Sequence, residues 1–241
     1  MPPDPASATG QNSEALSAAI TTFNLFPAQY LHHSWRDALT ARIGPIEPAL
    51  ESQPFWIREL STAILRERQL DDQFDFDFSD RAKRLALLDG PTLHRLCLAI
   101  AGLLVRQHLR LLVSRDDASL IQRSLGQDIH KLVLEWRGPM PVPASPPLWP
   151  ADWRSRFVDS NAWARLGVAT LYSALPPETQ ALHGRLRLKF PMGWSHDNFS
   201  IGSALNHRQL NADVILTILP LLAPDWSWLF AENVATTEVA A

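Results

Sequence analysis

PTLHRLCLAIAGLLVRQHLRLL (residues 91–112) decides the fold class. Leu93, Leu96, Cys97, Ile100, Leu103, Leu104, Leu111 and Leu112 recur at intervals of three and four, the period of one buried helix face. Pro91, just behind Asp89-Gly90, suits a first helical turn, where the amide hydrogen it lacks would have no partner. On the other side Arg95, Arg106 and Arg110 align as a basic ridge. Such a ridge is either a solvated face or a surface for an acidic protein partner, because guanidinium forks match carboxylates.

The same period extends outward. Asp116 and Asp117 can cap a following helix, joined through Ser114-Arg115, with Ile121, Leu125, Ile129, Leu132, Val133 and Trp136 on one stripe. Upstream, Pro54 opens a helix carrying Phe55, Trp56, Leu60 and Ile64. Downstream, Ser160 can cap one bearing Trp163, Leu166, Thr170 and Leu171, and Pro177-Glu178 opens another with Leu182 and Leu186, ending at Pro191. Asn206 precedes a last one with Leu210, Val214, Ile215 and Ile218, ahead of Pro220. Alternation with a period of two is nearly absent, so the expected fold is all-α: a multi-helix globular domain with a Pro-rich connection in its middle.

That connection divides the chain. Residues 1–13 are rich in Pro, Ala, Ser, Thr and Gly without an apolar period and are expected to be disordered, with order beginning near Glu14. A helical region over 14–137 is followed by the connection at 138–150, where Pro139, Pro141, Pro143, Pro146, Pro147 and Pro150 leave little room for a helix. Trp136, Trp149 and Trp153 flank it and favour a segment pinned across a domain over a free linker. A second helical region over 151–232 is expected to pack on the first, with a frayed tail at 233–241.

At 241 residues the chain is long enough for a real core, and 46% apolar with 20% charged residues is ordinary for a globular protein. A net charge of −3 gives no global argument for nucleic acid or an anionic membrane. The single cysteine, Cys97, lies in an apolar run and cannot form an intrachain disulfide, which fits a reducing compartment. No secretory signal is read at the N-terminus, and the apolar stretches around 96–105 and 214–223 are shorter than the roughly 20 residues a membrane helix needs. A cytoplasmic protein without direct membrane insertion is expected.

Signatures of chemistry fail one by one. Asp71-Asp72-Gln73-Phe74-Asp75-Phe76-Asp77-Phe78 spaces carboxylates as a cation loop would, yet lacks the Gly and Glu that a calcium loop requires. The simpler expectation is a loop or short edge strand with Phe packed inward and Asp in water, the alternative a strip for docking a partner. Eight histidines include no H-E-x-x-H, and His32-His33 as neighbours should point apart, so no metal or cofactor is assigned. Ser195-His196-Asp197 holds the residue types of a triad without a nucleophile elbow. Arg185, Arg187 and Lys189 form a second basic cluster with the same two readings as the first. Among nine tryptophans, Trp226 and Trp228 are the best interface candidates near the C-terminus.

One segment carries more. Residues 23–35, FNLFPAQYLHHSW, concentrate large apolar side chains around Pro27. Read as F-N-x-x-P-x-x-Y-x-H-x-S-W, they resemble the start of the SctK/YscK family, accessory proteins of bacterial type III secretion. The Leu-rich central helices and the basic Leu/Pro segment from Leu175 to Pro191 extend the resemblance. It implies a non-enzymatic cytoplasmic adaptor of the sorting platform, held near the inner membrane through partners. That adaptor would link the inner-membrane ring protein SctD to the pod protein SctQ, and through SctQ to SctL and the ATPase SctN. Phe23, Asn24, Pro27, Tyr30, His32, Ser34 and Trp35 match the motif and serve either partner binding or the folding of this segment. The alternatives are a chaperone for a secreted effector and a small serine hydrolase using Ser195 with His196 or His207.

Overall fold

The computed structural model describes residues 5–44, 52–143, 149, 152–177, 180–194 and 207–231, with side chains at all of these except 5–10, 43 and 180. In chain order the helices are α1 (Pro5–Leu25), α2 (His33–Ile43), α3 (Pro54–Glu67), α4 (Gly90–Leu104), α5 (Arg106–Arg110), α6 (Arg115–Leu125), α7 (Gln127–Glu135), α8 (Trp153–Arg156), α9 (Ser160–Ser173), α10 (Gln180–Arg187) and α11 (Arg208–Leu222). 3₁₀ turns occupy Pro27–Gln29, Lys83–Leu87 and Pro224–Phe230. No strand occurs among the described residues, as the helical period predicts.

Two compact units interleave along the chain. One is drawn from Met1–Gly90, Glu178–Gly193 and Trp226–Ala241, the other from Pro91–Pro177 and Trp194–Asp225. The division therefore falls at Gly90-Pro91 and not at the Pro-rich connection, and the stretch 151–232, expected to act as one region, contributes to both units.

In the first unit α1 starts at Pro5, ahead of Glu14 where the sequence places the onset of order. Proline is tolerated in a first helical turn, and Ala6 and Ala8 favour a helix. Its inward stripe, Leu16, Ile20 and Phe23, has the expected spacing of four and three. Pro54 takes the first position of α3, as the sequence predicts.

The second unit is built on α4, whose Leu93, Leu96, Cys97, Ile100 and Leu103 are wholly buried. Burial pushes the Cys97 thiol up, away from the reactive thiolate. Gly167 lets α9 close on α4: a Cβ there would sit 2.0 Å from the Cys97 carbonyl oxygen. Two long sequence-predicted helices are each interrupted. Val105 leaves helical geometry (φ −106°, ψ 12°) and α5 ends at Arg110, so Leu111 and Val113, at 76% and 97% exposure, turn outward instead of continuing the buried face. Gly126, at φ 88°, separates α6 from α7, a conformation that glycine adopts without strain. Caps differ as well. Ser114 accepts the Asp117 N–H, and Asp117 is instead taken by Arg154 in a two-point pair at 2.7 and 2.8 Å. Asp159, not Ser160, caps α9. Helix α11 runs through Pro220 to Leu222, since a proline this close to a helix end removes little of the hydrogen-bond ladder.

Side chains hold the described part of the Pro-rich connection. Trp136 Nε1 donates to the Pro139 carbonyl at 2.9 Å. The Asn211 amide meets both backbone groups of Val142, donating to its carbonyl at 3.0 Å and accepting its N–H at 2.8 Å. Trp149 packs among His108, Trp153 and Phe157 with ring centres 5.1 to 5.6 Å away. Residues 144–148 and 150 lie outside the described residues.

Candidate functional site

The opening motif is an internal joint of the first unit. Phe23 is buried, its ring stacked on Tyr30 at 5.7 Å and edge-on to Phe78 at 5.9 Å. The Tyr30 hydroxyl donates to the Phe23 carbonyl at 2.7 Å, and burial raises its pKa. Asn24 has no exposed surface. Its amide nitrogen donates to the carbonyls of Ile20 at 3.1 Å and Asp75 at 2.7 Å, while its amide oxygen accepts the Asp75 N–H at 3.0 Å. A side-chain amide thereby stands in for a neighbouring strand. Pro27 fixes the 3₁₀ turn, which presents the Ala28 N–H to Ser61 Oγ of α3 at 3.2 Å.

The second half of the motif reaches the segment after α10. His32 donates its backbone N–H to the Leu188 carbonyl at 2.8 Å and caps α2, its Nδ1 accepting from the Ser34 N–H at 3.2 Å. Ser34 Oγ accepts the Met192 N–H at 2.8 Å, and Trp35 Nε1 donates to the Phe190 carbonyl at 2.8 Å. His32 precedes the helix that His33 begins, so their rings meet at 4.0 Å where a regular element would part them.

Two cations hold these pieces together, and both lie on what the sequence presents as a basic surface cluster. Arg185 is wholly buried. Its guanidinium donates to the carbonyls of Asn24 at 3.1 Å, Gln73 at 2.5 Å, Leu70 at 2.9 Å and Ala181 at 3.4 Å. Lys189 is 4% exposed and donates to the carbonyls of Ala86 at 2.7 Å and Leu88 at 2.6 Å, with its ammonium 4.7 Å from the Tyr30 ring centre and 5.3 Å from that of Phe23. The clue to one of them was in the period: Leu182, Arg185 and Leu186 share one stripe of α10, whereas Lys189 lies past its end.

A family model described as YOP proteins translocation protein K (YscK) matches residues 19–230, most of the chain. The chain belongs to the YscK family. It is accordingly a type III secretion protein. No curated protein and no solved structure matches it.

In this YscK-family chain the remaining candidates separate by burial. The basic ridge is engaged internally: Arg95 pairs with Asp128 at the start of α7, while Arg106 and Arg110 donate to the Leu134 carbonyl at its end, at 3.0 and 3.2 Å. Cations at both these carbonyl contacts suit the negative end of α7. Trp226 and Trp228 are half-buried and stacked at 6.4 Å, and Arg84 holds the neighbouring Leu229 carbonyl at 3.0 Å. Ser195, His196 and Asp197 lie outside the described residues, and His207 is exposed. Among the described residues no three His, Cys, Asp or Glu converge as a metal site, and no helix is long and apolar enough to cross a membrane.

The acidic-aromatic run reverses its expected orientation only in its middle, while Phe78 is buried and Asp71, Asp72 and Asp77 are exposed as expected. Phe74 and Phe76 are 45% and 51% exposed, whereas Asp75 is buried with the Lys83 ammonium 3.0 and 3.1 Å from its two oxygens. The Lys83 ion pair holds the Asp75 carboxylate on the inner side, and the neighbouring Phe74 and Phe76 side chains take the outer one.

Burial pushes the Lys189 ammonium down to about 7, with Asp89 opposing the shift. The unfolded chain, with lysine near 10.4, therefore binds more protons between these values, and stability rises with pH across that window by up to about 1.4 kcal/mol per unit. Below pH 7 this group adds no pH dependence. Urea unfolding from about pH 6 to pH 10 should show this rise in the wild type, and Lys189→Met should remove it. Parallel profiles for the two proteins would show that Lys189 stays charged throughout.

Proposed function

We propose that the protein is a non-enzymatic adaptor of the type III secretion sorting platform, joining the cytoplasmic domain of SctD to SctQ, and through SctQ to SctL and SctN. Membership of the YscK family over residues 19–230 carries the reading. The burial of the motif supports a division of labour in which Phe23, Asn24, Pro27 and Trp35 build the scaffold and more exposed surface meets partners. Its work is recognition and geometry, and its place is at the cytoplasmic side of the inner membrane through those partners.

Purified chain mixed with the SctD cytoplasmic domain and SctQ should elute from size exclusion as one assembly containing all three. A chain that binds neither protein, or that instead retains a secreted effector, overturns the adaptor reading and in the second case favours a chaperone.

A further inference from the structure

Helix α5 ends on a tip that the fold does not use. Leu111 closes the helix and Val113 stands just before Ser114, the cap of α6. At 76% and 97% exposure they are the two most exposed large apolar side chains among the described residues. A residue in the position of Val113 often packs on the fourth residue of the helix it introduces, here Ala118, and at this exposure Val113 does not. Behind the tip two guanidiniums converge. Arg106 and Arg110, one turn apart on α5, donate to the same Leu134 carbonyl at 3.0 and 3.2 Å. Neither meets a carboxylate among the described residues, and the enclosed Arg106 Nε has no acceptor. Burial, with the Arg110 charge adding to it, pushes the Arg106 guanidinium below its ordinary value. Nearby charges do not cancel the pair: exposed Arg115 and Arg137 offset exposed Asp116 and Glu135, and Asp117 is held by Arg154. Two forks sharing one neutral carbonyl keep donors to spare, and phosphate oxygens match that geometry.

We propose that the Leu111–Val113 tip dips into the surface of an anionic phospholipid bilayer, with lipid phosphate held by Arg106 and Arg110. Charge complementarity selects the occupant. An acidic solute would satisfy the arginines and leave Leu111 and Val113 in water, whereas an anionic bilayer offers phosphate at its surface and hydrocarbon directly beneath it. A tip has no walls with which to grip a partner's side chain, and a bilayer requires none. Two aliphatic side chains beside a few arginines give reversible surface contact, not anchoring. The contact would add to those made through protein partners. It does not rest on the adaptor reading and needs no secretion component for its test.

The probe is a vesicle of phosphatidylcholine containing about one-third phosphatidylglycerol, titrated into the full chain and read by co-sedimentation. Saturable binding is expected, at least about tenfold tighter than to phosphatidylcholine alone and weakened by added salt. Leu111→Ser with Val113→Ser should lose at least about tenfold while leaving the fold intact, because both side chains are exposed. Arg110→Gln should lose about fivefold and flatten the salt dependence. Far-UV circular dichroism and the urea midpoint establish that each variant is folded. No binding, equal binding to the two kinds of vesicle, or unchanged affinity of the folded Leu111→Ser, Val113→Ser protein each overturns the proposal. Inorganic phosphate that binds in calorimetry when the vesicles do not would make the arginine pair a site for a free anion. Loss of SctD or SctQ from co-elution in the double variant, again without vesicle binding, would assign the tip to a protein. Either result overturns the bilayer as its occupant.

Discussion

Arg185→Met is expected to destabilise the first unit by about 4 kcal/mol or more, a large share of the about 5–15 kcal/mol by which whole domains are stable. Methionine approximates the length of the stem but donates nothing, and the carbonyls of Asn24, Leu70 and Gln73 would each lose a charged donor in a buried setting. Unsatisfied buried acceptors cost roughly 1–3 kcal/mol each, more when the lost donor was charged. The Asn24 carbonyl belongs to the last turn of α1, where the helix dipole makes a cation most favourable. Arg185→Lys should recover little, because one ammonium cannot reach in three directions with a planar fork. Urea unfolding followed by tryptophan fluorescence measures the loss. Arg123→Met is the control: this exposed side chain reaches only the Ser119 carbonyl of its own helix, and its loss should fall within about 0.5 kcal/mol. A small effect at Arg185 would mean that water replaces its donors and that the buried cation is not what joins α1, the acidic-aromatic run and α10.

Which parts of this were legible in the sequence follows from what a period can express. Amphipathic spacing reports burial, and so the inward faces of α4 and α9 and the all-α class were readable from apolar positions alone. It does not report breaks that leave the spacing intact. Across Gly126 the stripe from Ile121 and Leu125 to Ile129 and Val133 continues unchanged although the helix does not. Nor does a period say what a side-chain amide will do. Asn24 and Asn211 both pair with the N–H and C=O of a single residue in a distant extended segment, Asp75 in one case and Val142 in the other. These contacts span 51 and 69 residues, and in each an asparagine supplies the backbone partner that a neighbouring strand would. The motif does not report the role of its residues, because large apolar groups are needed equally for docking and for a core.

Trp35→Ala separates those two roles, with an expected loss of about 3–5 kcal/mol if the side chain works as the structure places it. The indole is 6% exposed, packs on Ala28, Leu31, Ile64 and Leu188, and donates to the Phe190 carbonyl. The Arg68 guanidinium lies 4.3 Å from its ring centre and shields the outer face. A cavity of about 70 Å³ already adjoins it, lined in part by Leu39, Ile64, Leu188 and Met192, so truncation would merge the indole's volume with existing space. Such a void does not collapse easily between two helices, and its cost grows with its size. Trp35→Phe keeps most of the apolar contact and should lose only about 1–2 kcal/mol, the share of the hydrogen bond to Phe190. Free indole added to Trp35→Ala should raise its urea midpoint, since a ligand that binds the folded form alone stabilises it by mass action. Rescue by indole together with restored binding of SctD or SctQ would establish that Trp35 supports the partner surface through the fold. A Trp35→Ala protein with wild-type stability and no partner binding would reverse the assignment, making the indole itself the docking group.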